Sequence, residues 1–226
     1  LFRSARQWSE LKLRFDGIYS GFLGSLEQIS KVSEIFDLLS GRDTLIFVDP
    51  CMADNGKLYQ TYSSDMARGT QLLCHKADFI LPNLTEACLL LNEPYRSERY
   101  RTREAVARLA QDLAARFQCG VVLTGIGFSP EQTGAACLAG PGDEPAFAFS
   151  QKVARHYHGT GDLFASVFVA AKMKGLEIGR CAQIAADFVS DTIARTVRDG
   201  TDERYGVNFE QGIPDLISRF QKEALL

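Results

Sequence analysis

The sequence has no C-x-x-C pair, no G-x-x-x-x-G-K-[ST] phosphate loop and no apolar run near the roughly 20 residues of a membrane helix. The first absence excludes the common zinc modules. The six cysteines, at 51, 74, 88, 119, 137 and 181, are spaced at intervals that match none of them. The second means that any nucleotide must be held without a Walker-type loop. Basic residues nowhere form a block: 25 Lys and Arg stand against 28 Asp and Glu, so no nucleic-acid or membrane-surface partner is expected. Histidine is scarce, with His75 apart from His156 and His158, too few for a metal cluster. With no signal-peptide pattern either, a cytoplasmic protein is expected, in which Cys88, Cys119 and Cys137 act as small buried hydrophobes.

What is present is a chain of 226 residues, 46% hydrophobic, enough to build one substantial core. Short apolar runs at 15–19, 44–48, 77–81 and 120–124 predict buried strands. Between them, Leu26, Ile29, Val32, Ile35, Phe36 and Leu39 mark one amphipathic helix, and residues 102–118 predict another. A helix is also expected from Ser4 to Leu13, with Trp8 packing it onto the body. This alternation implies an α/β protein with a mainly parallel sheet covered on both faces. Residues 133–138 and 145–149 flank the turn-forming GPGD and predict an antiparallel edge hairpin. The last third reads as helices at 163–174, 178–197 and 213–220. Arg96, Arg99, Arg101, Arg103 and Arg108 stand among acidic neighbours and read as a solvated face.

Polar or glycine-containing motifs follow three of the strands, and a fourth opens a helix. Asp49 and Asp54 lie just past the 44–48 strand, where two carboxylates suit Mg²⁺ or a monovalent cation. The same stretch also reads as a polar turn, with Asp54-Asn55-Gly56 chosen for its backbone angles. Asn83 and Glu86 follow the 77–81 strand and equally fit a capping box on the next helix. Thr124 and Gly125 end the 120–124 strand, offering a hydroxyl and a close backbone approach to a nucleotide. Gly159-Thr160-Gly161-Asp162 precedes the 163–174 helix. Amides at a helix start suit a phosphate, and an aspartate among them makes sense as a base facing a hydroxyl. A plain N-cap is the other reading of Asp162.

Taken together, FDGIYSGFLGS (15–25), VDPCMADNGKLY (48–59), ADFILPNLTEA (77–87), VVLTG (121–125), HYHGTGDLFAS (156–166) and RYGVNFE (204–210) resemble the ribokinase-like superfamily. The combination of the 49–59 stretch with His-Gly-Thr-Gly-Asp is most similar to its vitamin B6 kinase branch, the pyridoxal and pyridoxamine kinases. The resemblance implies a three-layer α/β/α sandwich and residues 1–226 as a single kinase domain lacking its N-terminal segment. It also implies ATP and Mg²⁺, a possible K⁺, a B6 vitamer as substrate and a homodimer.

Residue by residue, the resemblance makes Asp162 the catalytic base and Gly159, Thr160 and Gly161 the anion hole. Asp49 and Glu86 fall near the nucleotide phosphates and Mg²⁺, with Asn83 beside them. Asp54 falls at the monovalent cation, and Thr124 and Gly125 near the ATP phosphates. Phe22 would stack on the pyridine ring, standing where relatives often carry tyrosine; Leu81 replaces a threonine that could ligate the cation. Two other readings remain open: a hydroxymethylpyrimidine kinase of thiamine synthesis, and a non-catalytic relative that binds the ligand without turnover.

Overall fold

A computed structural model describes residues 2–155 and 157–223. His156 lies outside them. The chain divides into two compact units, 1–124 with 138–145, and 125–137 with 146–226.

The first unit is a parallel sheet with helical crossovers. Its strands are β1 (Gly17–Ser20), β2 (Leu45–Val48), β5 (Phe79–Ile80) and β6 (Gly120–Ile126, which runs on into the second unit), paired in that spatial order. Between β2 and β5 lies a minimal hairpin, β3 (Ala53–Asp54) against β4 (Lys57–Leu58). Phe47 and Phe79 stack across the β2–β5 pair with centroids 5.4 Å apart. Gly120 is demanded there, because a Cβ would sit 2.4 Å from the Phe79 ring.

Among the described residues this unit has the α-helices α1 (Phe2–Glu10), α2 (Leu26–Leu39), α3 (Ser64–Cys74), α4 (Leu84–Leu91) and α5 (Arg103–Phe117). On α2 the expected stripe is buried from Ile29 to Leu39, while Leu26 is exposed. Trp8 packs with Phe15, Ile35 and Leu39, fastening α1 as the sequence suggested. The five arginines between 96 and 108 are all exposed.

The second unit is an antiparallel hairpin and a pair of long helices. The hairpin joins β7 (Gln132–Leu138) to β8 (Ala146–Gln151), in register from Gln132↔Gln151 to Cys137↔Ala146. The helices are α6 (Thr160–Met173) and α7 (Ile178–Arg198), followed by α8 (Ile213–Glu223). Gln183 on α7 clamps β8 at both backbone groups of Phe149, donating at 2.9 Å and accepting at 3.3 Å. No described helix is long and apolar enough to cross a membrane.

Candidate functional site

In the first unit, three strand-end segments come together because β2, β5 and β6 are neighbours in a parallel sheet, so their C-terminal ends lie on one edge. At the end of β2, the Asp49 amide continues the ladder to the Ser20 carbonyl at 2.9 Å. The Asp49 side chain is only 8% exposed and accepts from the Tyr19 hydroxyl and the Cys51 amide, each at 3.3 Å. Cys51 then turns the chain with φ +43°. The Asp54-Asn55-Gly56 turn follows with φ +50° and +78° at Asn55 and Gly56, so the backbone-angle reading of these residues holds. Asn55 donates to both Asp54 oxygens, from its amide at 2.8 Å and its side chain at 2.9 Å.

Past β5, Asn83 caps α4. Its Oδ1 accepts from the Thr85 and Glu86 amides at 2.9 and 3.0 Å, and Glu86 Oε2 accepts from the Asn83 amide at 2.9 Å. The capping box is therefore formed, but its side chains also reach into the 49–56 loop. Glu86 Oε1 accepts from the Met52 and Ala53 amides at 2.8 and 3.3 Å. Asn83 Nδ2 donates to the Ala53 carbonyl at 2.8 Å, and Thr85 Oγ1 accepts from the Gly56 amide at 2.9 Å. Thr124 closes the third segment. Its amide donates to the Pro82 carbonyl at 2.9 Å and its hydroxyl to the same oxygen at 3.4 Å.

The electrostatics of this edge are acidic. Glu86 is 2% exposed, and burial, followed by the nearby Asp49 charge, pushes its carboxyl up to about 8; the three amides pull the other way. Tyr59 is pushed up to about 12 by partial burial and then by Glu86, Cys51, Asp54 and Asp49. The neighbouring Asp49 and Glu86 carboxylates are an oxygen-rich, mutually repelling pair that a hard cation relieves. The donors present thus fit Mg²⁺. Both carboxylate oxygens of each of Asp49, Asp54 and Glu86 accept a hydrogen bond from the chain.

Phe22 is 53% exposed with its ring 6.3 Å from that of Tyr62. Leu81 is buried and brings no side-chain oxygen. Tyr19, Tyr59 and Thr85 take part in this edge although the sequence did not single them out. Tyr19 precedes a Ser-Gly pair and Tyr59 ends the GKLY run, but their roles depend on partners about 30 residues away, as Tyr19 and Asp49 show.

In the second unit, the glycine turn opens α6 differently from the expectation. The helix begins at Thr160 rather than after Asp162, and its N-cap is Gly159 at φ +82° with no side-chain cap bond. Asp162 is therefore the third helical residue, exposed to solvent, and not the cap. Thr160 donates to the Tyr157 carbonyl at 3.3 Å, and Ser166 to the Asp162 carbonyl at 2.8 Å. Among the described residues, a Cβ at Gly159 or Gly161 meets no packing neighbour within 4 Å, and the same is true of Gly125, at φ +70°. Packing does not demand glycine at 161.

A parallel α/β sheet with polar loops gathered at its C-terminal edge defines a ligand-binding class of protein. Residues 11–206 match the family model described as phosphomethylpyrimidine kinase, and the chain belongs to that family of kinases. It is similar over 95% of its length to a Bacteroides thetaiotaomicron protein assigned as a phosphomethylpyrimidine kinase, at 31% identity, TM-score 0.88 and 73% of that chain. A second crystal form of that protein was obtained with pyridoxal. A pyridoxal kinase from Lactobacillus plantarum is similar at 26% identity and TM-score 0.85, over 96% of this chain and 76% of that one. The hydroxymethylpyrimidine/phosphomethylpyrimidine kinase of Bacillus subtilis is 26% identical over 196 residues, 84% of this chain and 67% of that protein. The α/β class, with a mainly parallel sheet, helices on both sides and an antiparallel hairpin, is that of these structures. The family model and the Bacillus relative set pyrimidine kinases beside the pyridoxal kinases, the two readings the sequence had left side by side.

Proposed function

We propose that the chain is an ATP-dependent kinase that phosphorylates the 5′-hydroxymethyl group of pyridoxal, pyridoxine or pyridoxamine. The observation that carries this reading is the acidic edge of the first unit. There Asp49, Asp54, Asn83, Glu86 and Thr124 stand just past or at the C-terminal ends of β2, β5 and β6, and the Glu86 and Asn83 side chains bond the backbone of residues 52 and 53. Phosphoryl transfer depends mainly on positioning and charge neutralisation, which such an edge supplies. When bound, Mg²⁺ would neutralise charge on the nucleotide phosphates, with Asp49 as its carboxylate and Asn83 and Thr124 beside those phosphates. Asp54 serves a monovalent cation.

Asp162 takes the proton from the substrate hydroxyl as the oxygen attacks phosphorus, and the amides of Gly159, Thr160 and Gly161 receive the transferring anion. A glycine at 161 that packing does not require is consistent with close approach of a ligand to the backbone there, as is Gly125 beside Thr124. Exposed Phe22 offers an apolar face for the heteroaromatic ring.

A second reading keeps the chemistry and changes the ring to the hydroxymethylpyrimidine of thiamine synthesis. It is favoured by the family match and by the Bacillus relative. Both rings are six-membered nitrogen heterocycles bearing a primary alcohol, so one site chemistry serves either. A coupled assay of ADP release with each B6 vitamer and with hydroxymethylpyrimidine decides between them. Release with a vitamer supports the first reading, and release with the pyrimidine alone supports the second. Tight ligand binding without turnover would overturn both in favour of a non-catalytic carrier. A homodimer is expected, and sedimentation of the purified protein tests it.

A further inference from the structure

We propose that the apolar groove along the outer edge of β1 receives a further β-strand, supplied by chain additional to these 226 residues. β1 ends the row of strands in its sheet and pairs only with β2 among the described residues. The carbonyls of Asp16 and Ser20 accept from the amides of Leu45 and Asp49, at 3.0 and 2.9 Å. Alternation along the strand then turns the backbone of Gly17 toward the opposite edge, where no described strand lies. An edge of this kind is a template for another strand.

Beside that edge is a cavity of about 390 Å³ lined by Trp8, Phe15, Ile18, Val32, Phe36 and Leu39. Ser20 lines it too. This serine is 8% exposed, and its Oγ is buried with no hydrogen-bond partner among the described residues. A buried hydroxyl without a partner carries a cost that an incoming polar group removes, and a peptide backbone brings such groups at regular intervals. Strand edge, apolar groove and hydroxyl therefore point to one occupant, an extended segment with apolar side chains turned toward α1 and α2. The structural relatives are longer than this chain. It covers 73% of the Bacteroides structure and 76% of the Lactobacillus one, which leaves residues to supply such a strand. Every residue of the groove belongs to the first unit, and the inference stands apart from the kinase reading.

Trp8 is the single tryptophan of the sequence, so its fluorescence reports on the groove. The 226-residue chain is titrated with a short peptide alternating valine and lysine, and with the same peptide carrying proline at its centre. The alternating peptide is expected to shift Trp8 emission saturably to the blue and to slow hydrogen exchange at the Gly17 amide about tenfold. The proline peptide is expected to do neither, because it lacks an amide and cannot continue a strand. Ser20→Ala is expected to weaken binding of the alternating peptide about fivefold, the size of one hydrogen bond, without lowering the melting temperature. In the full translation product of the gene, the Gly17 amide is expected to exchange about tenfold more slowly than in the 226-residue chain, at every protein concentration.

Equal binding of the two peptides would show a pocket for any apolar molecule and overturn the inference, as would failure of both to bind at millimolar concentration. Slow Gly17 exchange that sets in only as the 226-residue chain is concentrated would make the occupant a second copy, which also overturns it. A Gly17 amide that exchanges as fast in the full product as in the 226-residue chain would remove the proposed source of the strand. Should Ser20→Ala fail to fold, Ser20→Cys keeps the shape with a far weaker hydrogen-bonding group and is read by the same outcomes.

Discussion

The two polar turns of this protein are built on opposite principles. In the 49–56 loop of the first unit, the half-buried Asn83 and the buried Thr85 and Glu86 side chains bond the backbone of residues 52, 53 and 56. In the glycine turn of the second unit, the cap is a glycine with no side-chain cap bond, and Gly161 stands in open space. The first arrangement uses polar side chains as internal struts. The second keeps a helix start made of backbone amides. An enzyme that must hold a cation rigidly and receive a phosphoryl group closely has use for both.

The comparison can be broken most decisively at Asp162. Asp162→Asn is expected to lower kcat by about a thousandfold, within the range of general-base catalysis, while the melting temperature stays at the wild-type value. Normal turnover in that variant would remove Asp162 as the base. Glu86→Ala comes next and acts on stability, because it strands three buried amides. Its urea midpoint should correspond to a loss of about 3 kcal/mol, and a loss under about 0.5 kcal/mol would mean the struts are decorative. Gly159→Ala should cost about 1 kcal/mol by the same measurement, since φ +82° suits an L side chain poorly; no loss would show that the turn relaxes at no cost.

The smallest effect compares buried thiols, one from each unit. Burial, then Asp78, pushes Cys119 up to about 12, and burial, then Cys181, pushes Cys137 up to about 12. Their folded values lie above the ordinary thiol value of 9.0, so their stabilisation is complete below that pH and is lost as pH rises toward 12. Urea midpoints should hold steady near neutrality and decline above about pH 9. A midpoint that is flat through pH 11 would contradict this.

Most of the elements were legible because their signals are local. The strands at 44–48 and 120–124, the α2 stripe, the 178–197 helix and the Asn83–Glu86 cap each depend on residues a few positions apart. α3 was not legible. Its buried stripe is Met66, Thr70, Leu73 and Cys74, with Gly69 in the middle, and a threonine and a glycine hide the apolar period. A Cβ at Gly69 would come within 3.3 Å of the Leu26 and Ile29 side chains, a tight contact that no local pattern announces. The N-terminal boundary of α6 was misplaced because glycines at 159 and 161 read as a loop, although the second lies inside the helix.

The sequence by itself determined which residue types stand at the strand ends and at the start of α6, because caps, turns and strand periods are written within a few residues. Only the tertiary structure decided what those residues do to one another. Glu86 meets Met52 across 34 positions, Asn83 meets Ala53 across 30 and Thr85 meets Gly56 across 29. Such bonds exist because parallel strands from distant segments end on the same sheet edge, and a pairing set by packing leaves no mark on the spacing between its partners.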